Sequence, residues 1–168
     1  MTGEPDPVAL GTMRNAAHGN GGTPRLYPED PARENIVGAI GEVWFARLYG
    51  LKVNEENMPE GDGGIDFVVN LNGRDVAIDV KCAQRRPPYL LVKESHLHKH
   101  PAADFYVLGM LDRGQVTFVG WETRGIMALM PTGVFNSDVE KSYFRRAESL
   151  RPMQQLTELF SLRTECAP

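Results

Sequence analysis

The sequence predicts an α/β protein with a mixed central sheet flanked by helices. Three observations support this fold class. Residues 31–49 are largely apolar with helical periodicity, residues 65–82 hold two runs rich in Val and Ile around a tight turn, and residues 103–121 hold a second pair of strand-like runs. Helical and strand patterns that follow one another in a single chain are typical of a sheet covered by helices.

Length and composition indicate how the chain is divided. It has 168 residues, of which 42% are hydrophobic and 24% are charged, and these values are typical of a single globular domain. We predict that domain over residues 31–168. Residues 1–30 are rich in Gly, Pro, Asn and Thr and are predicted to form a flexible or irregular arm. The alternative for the arm is that it grasps DNA through Arg14, His18 and Arg25.

Charge and cysteine content indicate the cellular setting. The formal net charge is −4, which is unfavourable for binding nucleic acid unless local basic patches exist. No apolar run reaches the roughly 20 residues needed to cross a bilayer, and the N-terminus lacks the features of a signal peptide. Cys82 and Cys166 are far apart and have no metal-ligand spacing. We therefore expect a reduced, cytoplasmic setting and no membrane partner.

The first helix is predicted from about Pro31 to Tyr49. Pro31 suits the first helical position, and Gly50 suits the position after the end. Glu42 lies opposite the broad apolar face, but its neighbours there are also mainly apolar, so we expect it to be buried. A buried carboxylate is costly unless it is paired or binds a metal. A Glu42 that reaches solvent or pairs with an arginine is the alternative to a functional role.

The second predicted element is a hairpin at residues 65–82. Asn72-Gly73 is the favoured dipeptide of a type I′ turn, because both central residues need positive φ. A two-residue loop pairs Leu71 with Arg74 and thereby fixes the register of both strands. The alternation of side chains then predicts a core face that consists of Ile65, Phe67, Val69, Val76, Ile78 and Val80.

The same register places two carboxylates opposite each other. Asp66 faces Asp79 at a non-hydrogen-bonded pair, where Cα atoms are about 4.5 Å apart, and Lys81 lies on the same face. Opposed like charges destabilise a sheet unless one is protonated or a cation lies between them. Two carboxylates, a divalent metal and an ammonium suit phosphoryl transfer. If the loop is longer than two residues, Asp62 replaces Asp66 as the candidate.

Residues 84–100 are the best candidate for contacts with phosphate. Four basic residues and one acidic residue give this stretch a balance of +3, and basic side chains position nucleic-acid backbones. The candidate contacts are Gln84, Arg85, Arg86, Lys93 and Lys99, and the alternative is a solvated basic loop. Three alternate histidines, at 96, 98 and 100, lack the spacing and the acidic or cysteine neighbours of a zinc site, so we do not expect them to bind metal.

The remaining elements complete the sheet and its cover. Residues 103–112 are predicted to form a buried strand, which turns at Arg113-Gly114 into a second strand at 115–121. Thr123 is the predicted N-cap of a short helix to about Met130. Residues 141–148 are predicted as an edge strand, and Pro152 as the start of a final amphipathic helix.

The order and spacing of the candidate residues resemble the PD-(D/E)XK nuclease superfamily. A helix contains Glu42, Asp66 follows it, and Asp79-Val80-Lys81 begins 13 positions after Asp66. The resemblance covers about residues 31–121 and implies a restriction-endonuclease-like αβββαβ core, as in small phage and bacterial members. Two positions depart from the pattern, since Ile65 stands where Pro is usual and Asp79 stands where Glu is common.

The resemblance implies a metal-dependent nuclease that hydrolyses DNA phosphodiester bonds, with Mg²⁺ or Mn²⁺ as cofactor. It implies that Asp66, Asp79 and the Val80 carbonyl bind the metal. Glu42 would bind a second metal or an ordered water, Lys81 would orient or help deprotonate the attacking water, and Gln84 would be a polar helper. An endonuclease is expected, and structure-specific cutting of junctions or branches is within the range of relatives of this size.

Several alternatives stay open beside this expectation. The same fold also suits a non-catalytic DNA-binding or scaffold protein, an RNA-directed nuclease, or a metal-dependent hydrolase of another phosphate substrate. Many members of the superfamily dimerise to cut two strands, so the resemblance leaves open whether the chain is a monomer or a homodimer.

Overall fold

The computed structural model describes residues 6, 8–9, 31–53, 64–84, 88–135 and 140–161. Its helices are α1 (Pro31–Tyr49), α2 (Glu94–His98), α3 (Arg124–Met127) and α4 (Met153–Ser161), with a short 3₁₀ helix at Ala147–Ser149. Its strands are β1 (Phe67–Leu71), β2 (Arg74–Ala83), β3 (Tyr89–Lys93), β4 (Phe105–Asp112), β5 (Gln115–Thr123), β6 (Thr132–Gly133) and β7 (Ser142–Arg146). The predicted α/β class is confirmed.

The strands form two sheets. The central sheet has the order β1-β2-β4-β5, in which β2 and β4 are parallel and the other neighbours are antiparallel. The second sheet has the order β3-β7-β6 and is antiparallel. The predicted mixed sheet is therefore present. The predicted order of helix, three strands, helix and strand is also found along the chain, but β3 belongs to the second sheet rather than to the central one.

The first hairpin has the predicted turn and register. Asn72 and Gly73 have φ of 55° and 81°, as a type I′ turn requires. Leu71 pairs with Arg74, and the register continues as far as Phe67 opposite Ile78. The turn thus fixes the register of the two strands, and with it the positions of Asp75 and Asp79 in β2 relative to β1.

Two clusters of buried side chains lie on opposite faces of the central sheet. The first-face cluster joins β1 and β2 to α1 and α4, and its largest members include Phe45, Phe67, Ile78, Trp121 and Phe160. The second-face cluster joins β4 to β3, α2 and α3, and it consists of Leu90, Val92, Leu97, Ala103, Tyr106, Leu108 and Met127. The central sheet is therefore covered by helices on one face and mainly by the second sheet on the other.

Helix α1 begins and ends where the sequence predicts. It lies very close to β2, because a Cβ on Gly41 would be only 2.7 Å from the Cys82 Cβ. Real Cβ atoms do not approach so closely, so only glycine permits this contact. The next residue, Glu42, is consequently held against the sheet and is 5% exposed, which confirms its predicted burial.

The C-terminal elements follow the sequence pattern with one correction. Thr123 caps α3, since its hydroxyl accepts a hydrogen bond from the Ile126 amide, and α4 buries Leu156 and Phe160. The prediction of an edge strand at 141–148 was wrong, because β7 is the middle strand of the second sheet. Its partner β3 lies some 50 residues earlier in the chain, and such distant pairing leaves no local signal. Within the described residues, no helix is long and apolar enough to cross a membrane.

Candidate functional site

Asp79 is the most deeply buried carboxylate of the predicted site. It lies in the middle of β2 and is 1% exposed. Its Oδ2 is 2.7 Å from the Nζ of Lys81, whose side chain is 32% exposed. The two side chains meet because residues two apart in a strand share a face. Despite this ion pair, Asp79 Oδ2 has no partner with hydrogen-bond geometry among the described residues.

Asp66 lies just before β1, at the end of the hairpin ladder. Its amide donates to the Ile78 carbonyl at 2.8 Å, and its Oδ2 accepts a hydrogen bond from the Val80 amide at 2.7 Å. Both N–H and C=O of a strand residue point to the same neighbouring strand. The Val80 carbonyl therefore lies on the same side of β2 as the Asp66 carboxylate.

The position of Asp66 differs from the predicted cross-strand pair. The side chains of a regular strand stand perpendicular to the sheet, whereas its amides lie in the plane of the sheet. Since the Asp66 carboxylate accepts from a main-chain amide, it lies along the sheet edge rather than on the face of Asp79. Ile65 shows the same break in alternation, because it packs against the second-face cluster and not against the predicted core face.

Electrostatics place Glu42 in the same site. The pKa of Asp66 is raised well above its ordinary value, first by burial and then by the negative charges of Glu42 and Asp79. Lys81 and the Val80 amide oppose this rise. The structure thus brings together Glu42 from α1, Asp66 from the sheet edge, and Asp79 and Lys81 from β2. Glu42, Asp79 and Lys81 are all close enough to Asp66 to shift its pKa.

The chemistry of this group fits a hard divalent cation. Carboxylate and carbonyl oxygens are the ligands that Mg²⁺ and Mn²⁺ prefer, and the buried, incompletely bonded Asp79 Oδ2 is a ready acceptor. Within the described ranges, no three or more His, Cys, Asp or Glu side chains form a group that could hold a metal ion as they stand. A bound metal would favour the ionised form of Asp66, which burial and the neighbouring charges disfavour, and would require the carboxylates to draw together.

His96 lies near this site, although the sequence analysis considered it only as one of three alternate histidines. It lies on α2 and is half-buried. A Cβ on Gly64, which has a φ of 78°, would be 3.1 Å from the His96 Nδ1 and 3.5 Å from Asp79 Oδ2. Burial first, and then the charge of Lys81, lower the pKa of His96, while Asp79 and Glu140 oppose this. Gly64 and His96 are about 30 residues apart in the chain, so no short-range pattern predicts that they lie close together.

Tyr106 is a second neighbour that sequence analysis missed. It pairs with Asp79 across the parallel strands β2 and β4 and is 1% exposed. Its hydroxyl has no hydrogen-bond partner among the described residues. Burial, and next the charge of Asp79, raise its pKa to about 12. Tyr106 therefore stays protonated at neutral pH, and it lies beside Asp79 in the neighbouring strand.

The predicted phosphate-contacting residues are only partly described. Lys93 ends β3 and is close enough to lower the pKa of His96, so it lies on the side of the site formed by α2. Lys99 is exposed immediately after α2, and Gln84 is half-buried immediately after β2. The predictions for Arg85, Arg86, Asp62, Cys166 and the basic residues of the arm fall outside the described residues.

Comparisons with known proteins do not identify a family. No family model matches the chain, and no curated protein or solved structure matches it. The function therefore has to be inferred from the residues and their geometry.

Proposed function

We propose that this protein is a metal-dependent nuclease of the PD-(D/E)XK type, with a restriction-endonuclease-like core, that hydrolyses DNA phosphodiester bonds as an endonuclease. The observation that best supports the proposal is the convergence of three carboxylates and one lysine at the end of the hairpin. The pKa of Asp66, which Glu42 and Asp79 raise, reflects that convergence. A carboxyl group whose pKa is perturbed by burial together with specific charged neighbours is a candidate functional residue.

The proposed metal ligands are the Asp66 and Asp79 carboxylates and the Val80 carbonyl, with Mg²⁺ or Mn²⁺ as cofactor. The Val80 amide already holds the Asp66 carboxylate at the side of β2 where that carbonyl lies. Glu42 would complete the site from α1 through a second metal or an ordered water. When bound, the metal supplies a Lewis acid that activates water and offsets the charge that develops on the phosphate.

Lys81 has the role of positioning water and stabilising charge. Its ammonium is 2.7 Å from the Asp79 Oδ2, so it lies beside a proposed metal ligand and reaches solvent with a third of its surface. From there it can orient or help deprotonate the attacking water. It can also donate hydrogen bonds to a phosphate oxygen as the negative charge on that oxygen grows.

The DNA backbone is proposed to approach from the side of α2. Lys93, Lys99 and Gln84, together with Arg85 and Arg86 from the segment between β2 and β3, would contact phosphates. The formal net charge of −4 is compatible with this, because part of the negative charge is concentrated in a site that a divalent metal would neutralise. A DNA-processing role implies a cytoplasmic location in a bacterial or phage-infected cell.

The test is a cleavage assay on a panel of nucleic acids with Mg²⁺ or Mn²⁺. The panel contains plasmid, linear duplex, single-stranded and four-way-junction DNA, together with an RNA duplex. We expect the wild-type protein to cut DNA, whereas Asp79→Ala and Lys81→Ala lose cleavage. Asp112→Asn, which changes an exposed carboxylate at the end of β4, is the matched control and should cut like wild type.

The alternatives give different outcomes in the same assay. Cleavage that survives both Asp79→Ala and Lys81→Ala would show that the site is elsewhere. Cleavage of RNA alone would indicate an RNA-directed nuclease. Binding of DNA without any cleavage would favour a non-catalytic DNA-binding protein, and preferential cutting of the junction would identify a structure-specific endonuclease.

A further inference from the structure

The second sheet has an outer face that points away from the central sheet. Side chains alternate along a strand, and Leu90 and Val92 of β3 are fully buried in the second-face cluster. The residues that alternate with them therefore point outward, and the strand pairing brings their partners in β7 to the same face. The outer face consists of Tyr89, Leu91, Lys93, Ser142, Phe144 and Arg146, and all of them except the buried Ser142 are at least partly exposed.

Three aromatic rings lie together on this outer face. The Phe144 ring centroid is 6.3 Å from that of Tyr89 and 5.2 Å from that of Phe135, with interplanar angles of 78° and 70°. All three residues are partly exposed. Gly133 of β6 leaves room for Phe135, because a Cβ there would be 3.3 Å from that ring. Aromatic rings that keep contact with solvent on a sheet offer stacking surfaces to nucleic-acid bases.

The charged members of the outer face are both positive, although the chain has a net charge of −4. They are Arg146, which pairs with Tyr89, and Lys93 at the other end of β3. Arg146 lies 3.7 Å from Glu148, but both side chains are more than two-thirds exposed, so the pair contributes little and a phosphate can replace the carboxylate. Lys93 is near Glu140, whose carboxylate already accepts a hydrogen bond from the main chain of α2.

We propose that the outer face of the second sheet binds single-stranded DNA, with bases stacked on Tyr89 and Phe144 and phosphates held by Arg146 and Lys93. The inference rests on the proposed function in that DNA is the partner, and it names the substrate class as DNA with a single strand beside the cut. Bases in a duplex stack on one another, so only a single strand offers them freely to the rings. A second copy is a poorer fit, because the six outer-face positions include no carboxylate that could pair with these cations.

The outer face is also close enough to the candidate site for one strand to reach both. Lys93 lies on the side of the site formed by α2. Tyr89 is at the opposite end of β3, and a strand of this length separates the two residues by about 13 Å. A single strand that leaves the site past Lys93 therefore reaches the rings within a few nucleotides.

The test measures DNA binding in EDTA, so that no divalent metal contributes. Fluorescence anisotropy of a labelled oligothymidylate gives the Kd of the full chain. Photocrosslinking of an oligonucleotide that carries 5-iodouracil, followed by mass spectrometry, identifies the contacted residues. We expect crosslinks at Tyr89 or Phe144. Tyr89→Leu and Phe144→Leu keep an apolar side chain but remove the ring, and each should raise the Kd about tenfold.

Matched controls test the rings and the charges separately. Tyr49→Leu removes a ring that packs against the first-face cluster and should leave the Kd unchanged. Arg146→Gln should weaken binding and reduce the slope of log Kd against log salt by about 0.7, as expected for one lost contact to a single strand. Arg113→Gln, which changes an exposed arginine at the turn between β4 and β5, should alter neither quantity.

The outcomes separate this inference from the proposed function. If the protein cuts DNA but both ring variants bind the oligonucleotide like wild type, or the crosslinks lie elsewhere, the inference is wrong and the proposed function stands. If the crosslinks lie on the outer face but no nucleic acid is cut, the surface stands and the proposed nuclease fails. Tighter binding of a blunt duplex than of the single strand would also overturn the inference.

Self-association and misfolding have their own readouts. A wild-type dimer in sedimentation velocity that the ring variants dissociate, without crosslinks at the rings, would show that a second copy occupies the outer face, and the inference would be wrong. Circular dichroism spectra that match wild type exclude misfolding as the cause of weaker binding. If a ring variant does not fold, the crosslinks, which are measured on the wild-type protein, decide the question.

Discussion

The environment of Asp66 disfavours the ionised form of its carboxyl group. Burial of its carboxyl and the charges of Glu42 and Asp79 raise its pKa, and a single ammonium and one amide do not offset them. Such an arrangement costs stability in the free protein, and the cost is recovered when a ligand that prefers the charged form binds. The residue is therefore better explained by function than by folding.

The first prediction is that Asp66→Asn stabilises the metal-free protein at alkaline pH. Between the unfolded pKa near 4 and the raised folded pKa, the folded chain binds more protons than the unfolded chain, so stability falls as pH rises through that window. The amide side chain does not ionise and still offers an oxygen to the Val80 amide. We expect the free energy of unfolding at pH 8 to rise by about 1 kcal/mol, with a smaller difference at pH 4, as measured by urea denaturation.

The second prediction concerns the protons released when metal binds. Because Asp66 must ionise to become a ligand, Mn²⁺ binding should release protons, and the affinity should rise with pH up to the folded pKa of Asp66. Calorimetry in two buffers with different ionisation enthalpies measures the number of protons released. Asp66→Asn should release fewer protons and bind more weakly, and an unchanged proton count in that variant would contradict the assignment.

The third prediction separates Lys81 from the metal ligands. Lys81→Met removes the ammonium that lies 2.7 Å from Asp79 Oδ2, which frees that oxygen for a cation. We expect Mn²⁺ affinity to be kept or increased while the cleavage rate falls by about 10². Lys52→Met, which changes an exposed lysine after α1, should alter neither quantity. Loss of metal binding in Lys81→Met would show that the lysine supports the ligands rather than the chemistry.

At the scale of single elements, α1 and the hairpin place the site in different ways. The hairpin is defined by its own turn, and its register from Phe67 to Leu71 is as the sequence predicts. The burial of Glu42, in contrast, depends on how closely α1 approaches β2. That distance is set by Gly41, which has no side chain to separate the helix from Cys82.

The fourth prediction tests this helix–strand contact with two glycines of one helix. Gly41→Ala adds a Cβ only 2.7 Å from the Cys82 Cβ, so we expect it to push α1 away and to cost about 1–3 kcal/mol. We also expect reduced Mn²⁺ affinity, because Glu42 moves. Gly38→Ala meets no atom within 4 Å and should stabilise the helix by up to about 1 kcal/mol. Urea denaturation and metal titration of both variants give the comparison, and equal effects would contradict the packing explanation.

The sequence predicts those features that depend on neighbouring residues. The bounds of α1, both hairpin turns and the cap at Thr123 follow from local chemistry, and the structure has all of them. The departure of Asp66 from the ladder depends on where pairing stops, which the turn does not determine. The position of His96 beside Asp79 and the pairing of β3 with β7 depend on contacts between distant segments, and a single sequence contains no pattern for them.

At the scale of the whole molecule, a buried ion network joins the central sheet to the C-terminal part of the chain. Glu122 of β5 is 1% exposed and lies 3.0 Å from both Arg145 of β7 and Arg151 before α4. Its Oε1 also accepts a hydrogen bond from the Thr123 amide at 2.9 Å. Asp79 of β2 pairs with Tyr106 of β4, which in turn pairs with Glu122 of β5. This row of paired residues has the candidate site at one end and the ion network at the other.

The fifth prediction is that this network stabilises the fold but is not part of the chemistry. Glu122→Ala leaves two arginines without their buried partner, and removing one partner of a buried ion pair costs about 3 kcal/mol. Glu148→Ala is the matched control, because Glu148 pairs with Arg146 at 3.7 Å on the surface, where both side chains are more than two-thirds exposed. Such pairs contribute at most about 1 kcal/mol.

Urea denaturation should show the large loss of stability only for Glu122→Ala. The Mn²⁺ affinity, measured well below the unfolding midpoint, should stay near wild type for both variants. A large loss of Mn²⁺ affinity in folded Glu122→Ala would instead mean that the network positions Asp79 through Tyr106.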